Sequence, residues 1–228
     1  MSTIFEEFYQ QGGIASQRRY PNEALMRFIG SNYFSMSHEQ RNKLKVLEIG
    51  CGSGANLWML SKEGFDSYGI DIAPTGLKYC HKVMADWGVA AQLFRGDMTA
   101  IEFPDQFFDL IIDVVSMQHL NIMEHSKAYS EIYRCLKKGG RLFQYHLGAR
   151  SVTFLNGGGT YIDAYTIDNA INKEVPLNNA GRTCFLTPIK AKEMLDNEGF
   201  VNVSIEVDTR SYRGMTQQIE YLSISAEK

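Results

Sequence analysis

The chain is predicted to fold as an α/β protein in which a doubly wound, mostly parallel sheet carries helices on both faces. Three features predict this class. Val46-Leu47-Glu48-Ile49 is a short apolar run that opens into Gly50, Gly52 and Gly54, three glycines on alternate positions. A second run, Ser67-Tyr68-Gly69-Ile70-Asp71, ends in an acid about 20 residues further on, where the next strand of such a fold should end. Beyond Gly199, two further segments read as strands and close the chain.

The first strand, residues 46–49, is apolar enough to be buried in a parallel sheet. The glycines after it let the backbone turn tightly and approach a ligand without Cβ interference. Residues 55–64 then place Leu57, Trp58 and Leu60 on one side of a helix that Gly64 closes. Dinucleotide-binding dehydrogenases share this order, and Gly50-x-Gly52-x-x-Ala55 satisfies their relaxed fingerprint. Glu48 weighs against that reading. A carboxylate two residues before the first glycine suits a cationic ligand and sits poorly beside a pyrophosphate.

The string Val46-Leu47-Glu48-Ile49-Gly50-Cys51-Gly52-Ser53-Gly54 closely resembles the first motif of class I S-adenosylmethionine-dependent methyltransferases. The resemblance implies S-adenosylmethionine as cofactor and S-adenosylhomocysteine as product, with Glu48, Gly50, Cys51 and Gly52 around the methionine part. Asp71, with Ile72 beside it, closes the second strand, where a carboxylate can accept both ribose hydroxyls. Pro74 starts the following helix. Leu93-Phe94-Arg95-Gly96 ends a third strand and leads to Asp97 and Met98. By the same resemblance, Asp97 meets the adenine amino group and Met98 packs on the ring.

The fourth strand lies within residues 107–120, with Asp109 before its apolar run and Asp113 interrupting it. It resembles the family's fourth motif, which implies that Asp113, Val114 and Val115 approach the cofactor's ammonium and sulfonium. Asp113 departs from the pattern, since small polar residues are commoner there. A helix over residues 124–136 carries a core stripe of Tyr129, Ile132, Tyr133 and Leu136. Leu136-Lys137-Lys138-Gly139-Gly140 resembles the family's turn into the fifth strand, with Lys138 where proline is usual. Thr187-Pro188 is an N-cap followed by proline, and Gly199 ends that helix. Residues 200–207 alternate with period two, and residues 219–226 supply the last strand. Most of residues 45–228 is thus covered by the resemblance, which implies a seven-stranded Rossmann-like sheet with an antiparallel final strand.

With 228 residues and 44% hydrophobic content, the chain can bury a full core. It offers no apolar run long enough for a membrane helix and no secretory leader, so a soluble, cytoplasmic protein is expected. Cys51, Cys80, Cys135 and Cys184 are far apart, form no metal-like or disulfide-like pattern and are expected to be reduced. No metal site is expected. A net charge of −3 without a basic cluster argues against nucleic acid and for a small-molecule acceptor.

Substrate choice is expected to reside outside the cofactor core. Residues 1–44 are rich in aromatics, can start a helix at Pro21 and read as a helical cap or lid. Within them Arg18, Arg19 and Tyr20 are candidates to close on the cofactor carboxylate. Residues 147–186 read as a substrate-lid insertion, with Asp163, Tyr165 and Arg182 among its polar contacts. For a hydroxyl acceptor, His119 and His146 are the candidate general bases, each following a central strand. The expected reaction is methyl transfer to oxygen or nitrogen of a small metabolite. A nicotinamide-dependent oxidoreductase and a non-catalytic cofactor-binding partner are the alternatives.

Overall fold

The structure, a computed structural model, describes residues 4–228; the first three residues of the expected N-terminal cap lie outside the described residues. The main sheet comprises β1 (Lys45–Ile49), β2 (Asp66–Asp71), β3 (Gln92–Arg95), β4 (Phe108–Val114), β5 (Leu136–Leu147), β9 (Val201–Tyr212) and β10 (Gln217–Glu227). Its order is β3-β2-β1-β4-β5-β10-β9. Neighbours from β3 to β5 pair in parallel, while β10 is antiparallel to both β5 and β9. Six strands therefore run one way and β10 the other, in agreement with the expected Rossmann-like sheet.

Helices α1 (Ile4–Gly12), α2 (Glu23–Tyr33) and α3 (His38–Arg41) precede β1. After it come α4 (Leu57–Lys62), α5 (Pro74–Asp86) and α6 (Ile122–Cys135). The segment after β5 builds α7 (Val152–Asn156) and a small sheet of β6 (Thr160–Asp163), β7 (Thr166–Asp168) and β8 (Thr183–Cys184); α8 (Pro188–Glu198) follows. Among the described residues, no helix is long and apolar enough to cross a membrane.

Period-two alternation divides the strands between two cores. Leu47, Ile49 and Ile111 pack with Tyr129 and Ile132 of α6 and with Met194 and Leu195 of α8. Val46, Leu110 and Ile112 face Leu25 and Ile29 of α2 and Leu57 and Leu60 of α4. Each fully buried leucine or isoleucine contributes about 1.5–3 kcal/mol relative to exposure, so this double burial fixes the register of the central strands. The 147–186 segment has a smaller core of its own, built on Ile167, Val175 and Phe185 against Leu147 and Ile219.

Side-chain caps set the helix starts. The helix expected from Pro21 begins at Glu23, because Asn22 accepts a hydrogen bond from Leu25 N and becomes the N-cap. The helix expected from residue 124 begins at Ile122, because Asn121 and Glu124 form a reciprocal capping box. Thr187 caps α8 by accepting from Lys190 N at 3.1 Å, and Gly199 ends that helix with a φ of 96°. Thr187→Ala is expected to cost about 1 kcal/mol, measurable as a lower urea midpoint. The last two strands are longer than the apolar pattern implied, because Gln217 pairs with Tyr212 and Gln218 with Ser211 across a hairpin.

Candidate functional site

The C-terminal ends of β1, β2, β3 and β4 open into one cavity of about 590 Å³. The glycine loop after β1 forms its floor, with Gly50 at φ 63° and Gly52 at φ 51°. A Cβ on Gly50 would collide with Ser116 and one on Gly52 with the Tyr9 hydroxyl, so glycine is required at both places. Tyr9 belongs to α1 and lies over the loop, and Phe5 of the same helix also lines the cavity.

Glu48 is 2% exposed. Its Oε1 accepts from Asn56 Nδ2 at 2.6 Å, while Oε2 is buried without a partner among the described residues. Burial pushes its carboxyl up to about 8, against the opposing pull of Asn56 and Arg18. Arg18 reaches the same point, its Nη2 donating to Asn56 Oδ1 at 3.0 Å. An unpaired carboxylate oxygen and a guanidinium thus meet at one place in the cavity wall. This pairing suits a ligand that carries both an ammonium and a carboxylate.

Asp71 stands at the end of β2 and accepts from Gly52 N and from Ala73 N, each at 2.8 Å. These bonds tie the glycine loop to β2 and aim the carboxylate into the cavity, where burial raises its pKa. Gly96, Asp97 and Met98 form the next part of the wall; Asp97 Oδ1 accepts from Thr99 N and Oγ1, both at 2.8 Å. Val114 and Val115 border the cavity, and Val115 holds a φ of 57°, an uncommon value for a β-branched residue.

Opposite chemistry gathers around His119. Its Nδ1 lies 2.9 Å from the carbonyl oxygen of Arg182. A carbonyl only accepts, so Nδ1 carries the ring proton and Nε2 presents a lone pair, which Gln118 Nε2 approaches at 3.3 Å. Burial lowers the His119 pKa, which keeps the ring neutral. Arg182 also donates from Nε to the His119 carbonyl and pairs with Glu124 at 2.8 Å, and Phe5 packs edge-on against the imidazole at 4.7 Å.

The structure thus brings Glu48, Gly50, Cys51, Gly52, Asp71, Ile72, Gly96, Asp97, Met98, Val114, Val115 and His119 to one cavity. Four expected residues stand elsewhere. Tyr20 is 61% exposed and packs against Trp87, and Arg19 lines a separate hollow. Arg18 takes the inward position instead, because Trp58 Nε1 binds the Arg19 carbonyl at 3.0 Å and fixes that turn. Asp113 is fully buried and accepts from Ser116 N, Met117 N and Gln144 Nε2, so it shapes the loop after β4 from below. His146 is fully buried against His125 and does not line the cavity. Tyr9, Phe5, Asn56, Ser116 and Glu124 were missed as site residues. They sit in an aromatic-rich segment or beside recognised motifs, but no spacing rule marks them.

Such a sheet is the Rossmann-like fold of the class I methyltransferases. Residues 46–140 match the family profile described as a methyltransferase domain. The chain is 24% identical over 151 residues to a sterol 4-C-methyltransferase of Caenorhabditis elegans, which covers 64% of this chain and 45% of the relative. It therefore spans less than half of that relative's length. A methyltransferase structure from Methanosarcina mazei superposes with a TM-score of 0.67 at 18% identity, covering 81% of this chain and 92% of that one. A phosphoethanolamine N-methyltransferase from Haemonchus contortus, solved with S-adenosylmethionine, gives 0.62 at 17% identity, covering 99% and 60% respectively.

Proposed function

We propose that this chain transfers a methyl group from S-adenosylmethionine to an oxygen or nitrogen of a small metabolite. The observation that carries this reading is the buried, unpartnered Oε2 of Glu48 beside Arg18 in the cavity wall. Glu48 would hold the ammonium and Arg18 the carboxylate of the methionine part, Asp71 the ribose hydroxyls, and Asp97 with Met98 the adenine. When bound, the cofactor supplies an electrophilic methyl group on a sulfonium. The chain's own task is to align an acceptor with that methyl and exclude water. His119 Nε2 would take the proton of a hydroxyl acceptor, with Arg182 holding the ring and its tautomer.

Residues 4–44 act as the cap in this reading, since Phe5, Tyr9 and Arg18 line the cavity, and the 147–186 segment contributes Arg182. A cavity of about 590 Å³ and a net charge of −3 favour a small acceptor over nucleic acid. All four cysteines are buried and free, which fits a cytoplasmic setting. Calorimetry with adenosylhomocysteine and with NADH tests the cofactor assignment. Adenosylhomocysteine should bind at one site per chain; NADH binding in its place would overturn the assignment. A methyl-donor turnover screen over metabolite pools then identifies the acceptor.

Glu48 gives the ligand-free protein a pH signature. Its pKa is about 8 in the fold, against an ordinary value of 4.5. Between these values the native state binds more protons than the unfolded chain, so this group lowers stability progressively as pH rises from 4.5 to 8. Glu48→Gln should remove that loss. Its thermal midpoint, relative to the parent protein, is expected to rise across this interval and to level off above it.

A further inference from the structure

Behind the His119 wall the fold closes three side chains around one point. His125 lies in α6, His146 near the end of β5 and Cys184 in β8, and all three are fully buried. Their donor atoms lie within 4.8 Å of one another.

A proton count shows that this cluster is incomplete. His125 Nδ1 is 3.0 Å from the Asn121 carbonyl oxygen, and His146 Nδ1 is 2.9 Å from that of Leu147. Each Nδ1 must therefore donate, which leaves the two Nε2 atoms facing each other at 3.1 Å as bare lone pairs. Moving either proton to Nε2 only shifts the mismatch to a carbonyl. Two neutral rings supply two protons to three contacts, and an unmade buried bond costs about 1–3 kcal/mol. A third proton would complete the count, but as a fully buried imidazolium, which desolvation disfavours.

We propose that His125 Nε2, His146 Nε2 and Cys184 Sγ bind a Zn²⁺ ion. Donation of both Nδ1–H groups to backbone carbonyls is the arrangement that fixes a metal-binding tautomer. Nitrogens each about 2.0–2.1 Å from a tetrahedral zinc lie about 3.3 Å apart, so the rings need only a small separation. Two imidazoles and a thiolate suit zinc and exclude hard cations such as Mg²⁺. Coordination breaks the Cys184 S–H bond, forms S–Zn and releases the proton to solvent, with a water or hydroxide as fourth ligand. The thiolate cancels one of the two metal charges. The Asp163 carboxylate, anchored by Ile122 N at 2.9 Å and Tyr165 N at 2.8 Å, acts electrostatically on both His125 and Cys184 and offsets the other. The ion staples β8 to α6 and β5. Because Arg182 lies two residues before Cys184 and holds His119, the same staple fixes that wall.

The test uses the whole 228-residue chain, stripped with a chelator and titrated with Zn²⁺ and separately with Co²⁺. One zinc per chain should survive desalting, the thermal midpoint should rise by several degrees, and cobalt should produce a thiolate charge-transfer band. Cys184→Ser, which is nearly isosteric, should lose the band, while Cys135→Ser should keep it. Absence of retained zinc and of any thermal shift in the parent protein would overturn the proposal and leave the two rings sharing a proton. Survival of the band in Cys184→Ser would overturn it equally. The titration of the parent protein decides the matter even if a variant does not fold.

Discussion

Asp71→Ala is expected to weaken adenosylhomocysteine binding by about 1.5–3 kcal/mol, one to two decades in Kd, through loss of a charge-assisted contact to the ribose hydroxyls. The change reaches further than the ligand. Asp71 also accepts from Gly52 N and Ala73 N, so its removal leaves two backbone donors at the base of the glycine loop without their acceptor. A lower thermal midpoint should accompany the weaker binding. Asp71→Asn separates the two effects, because the amide oxygen still accepts one backbone bond while the bidentate anion is gone. Its stability should lie nearer the parent and its affinity nearer the alanine variant. Unchanged affinity in a folded Asp71→Ala protein would remove this residue from the ligand site.

His119→Ala should lower kcat at saturating cofactor by about 10²–10⁴-fold for a hydroxyl acceptor, the range expected for a general base. Affinity for adenosylhomocysteine should stay close to the parent value, because His119 belongs to the Arg182 and Glu124 wall and not to the Glu48 and Arg18 cluster. A base must also leave a mark on the pH–rate profile: its acidic limb, set by a histidine whose pKa burial lowers, should disappear in the variant. Full activity with an unaltered profile would return His119 to a packing role. For an amine acceptor that is already neutral, the loss should be smaller, so comparison of two acceptors tells proton removal from positioning.

Much of the fold was legible because its signals are local. The run from Val46 to Gly54 specifies strand and loop together: burial on both faces of the sheet needs the apolar residues, and positive φ needs the glycines. Asp71 ends β2 and Asp97 follows β3 by two residues, both on the side of the sheet where the glycine loop opens, a placement that strand spacing makes legible. Thr187, Pro188 and Gly199 marked the ends of α8 through cap chemistry, with Ala191, Met194 and Leu195 supplying its buried stripe. Period-two alternation could also have corrected His146: Leu142, Gln144 and His146 share the face of β5 that packs on α6, where Tyr129 donates to Gln144 at 2.6 Å. A residue on that face is drawn into the core however close it lies to the strand's end.

Other features could not be read from spacing. Arg18 and Arg19 are equivalent as sequence, and their roles part only because Trp58 stacks on Trp87 at 3.9 Å and anchors the Arg19 carbonyl. Tyr9 lies far from the glycine loop along the chain, yet its ring covers it. Arg182 and Glu124 meet although β5, α7, β6 and β7 lie between them along the chain.

By itself the sequence determined the sheet, the glycine bend and the order of acids along its open edge, since backbone conformation and strand-face alternation depend on neighbours within a few residues. Only the tertiary structure decided which arginine turns inward, which histidine presents a lone pair beside the cavity, and which two histidines and cysteine converge behind it. Those outcomes depend on side-chain direction and on contacts between distant segments, and these are set when the packed core leaves each polar group one place to find its partner.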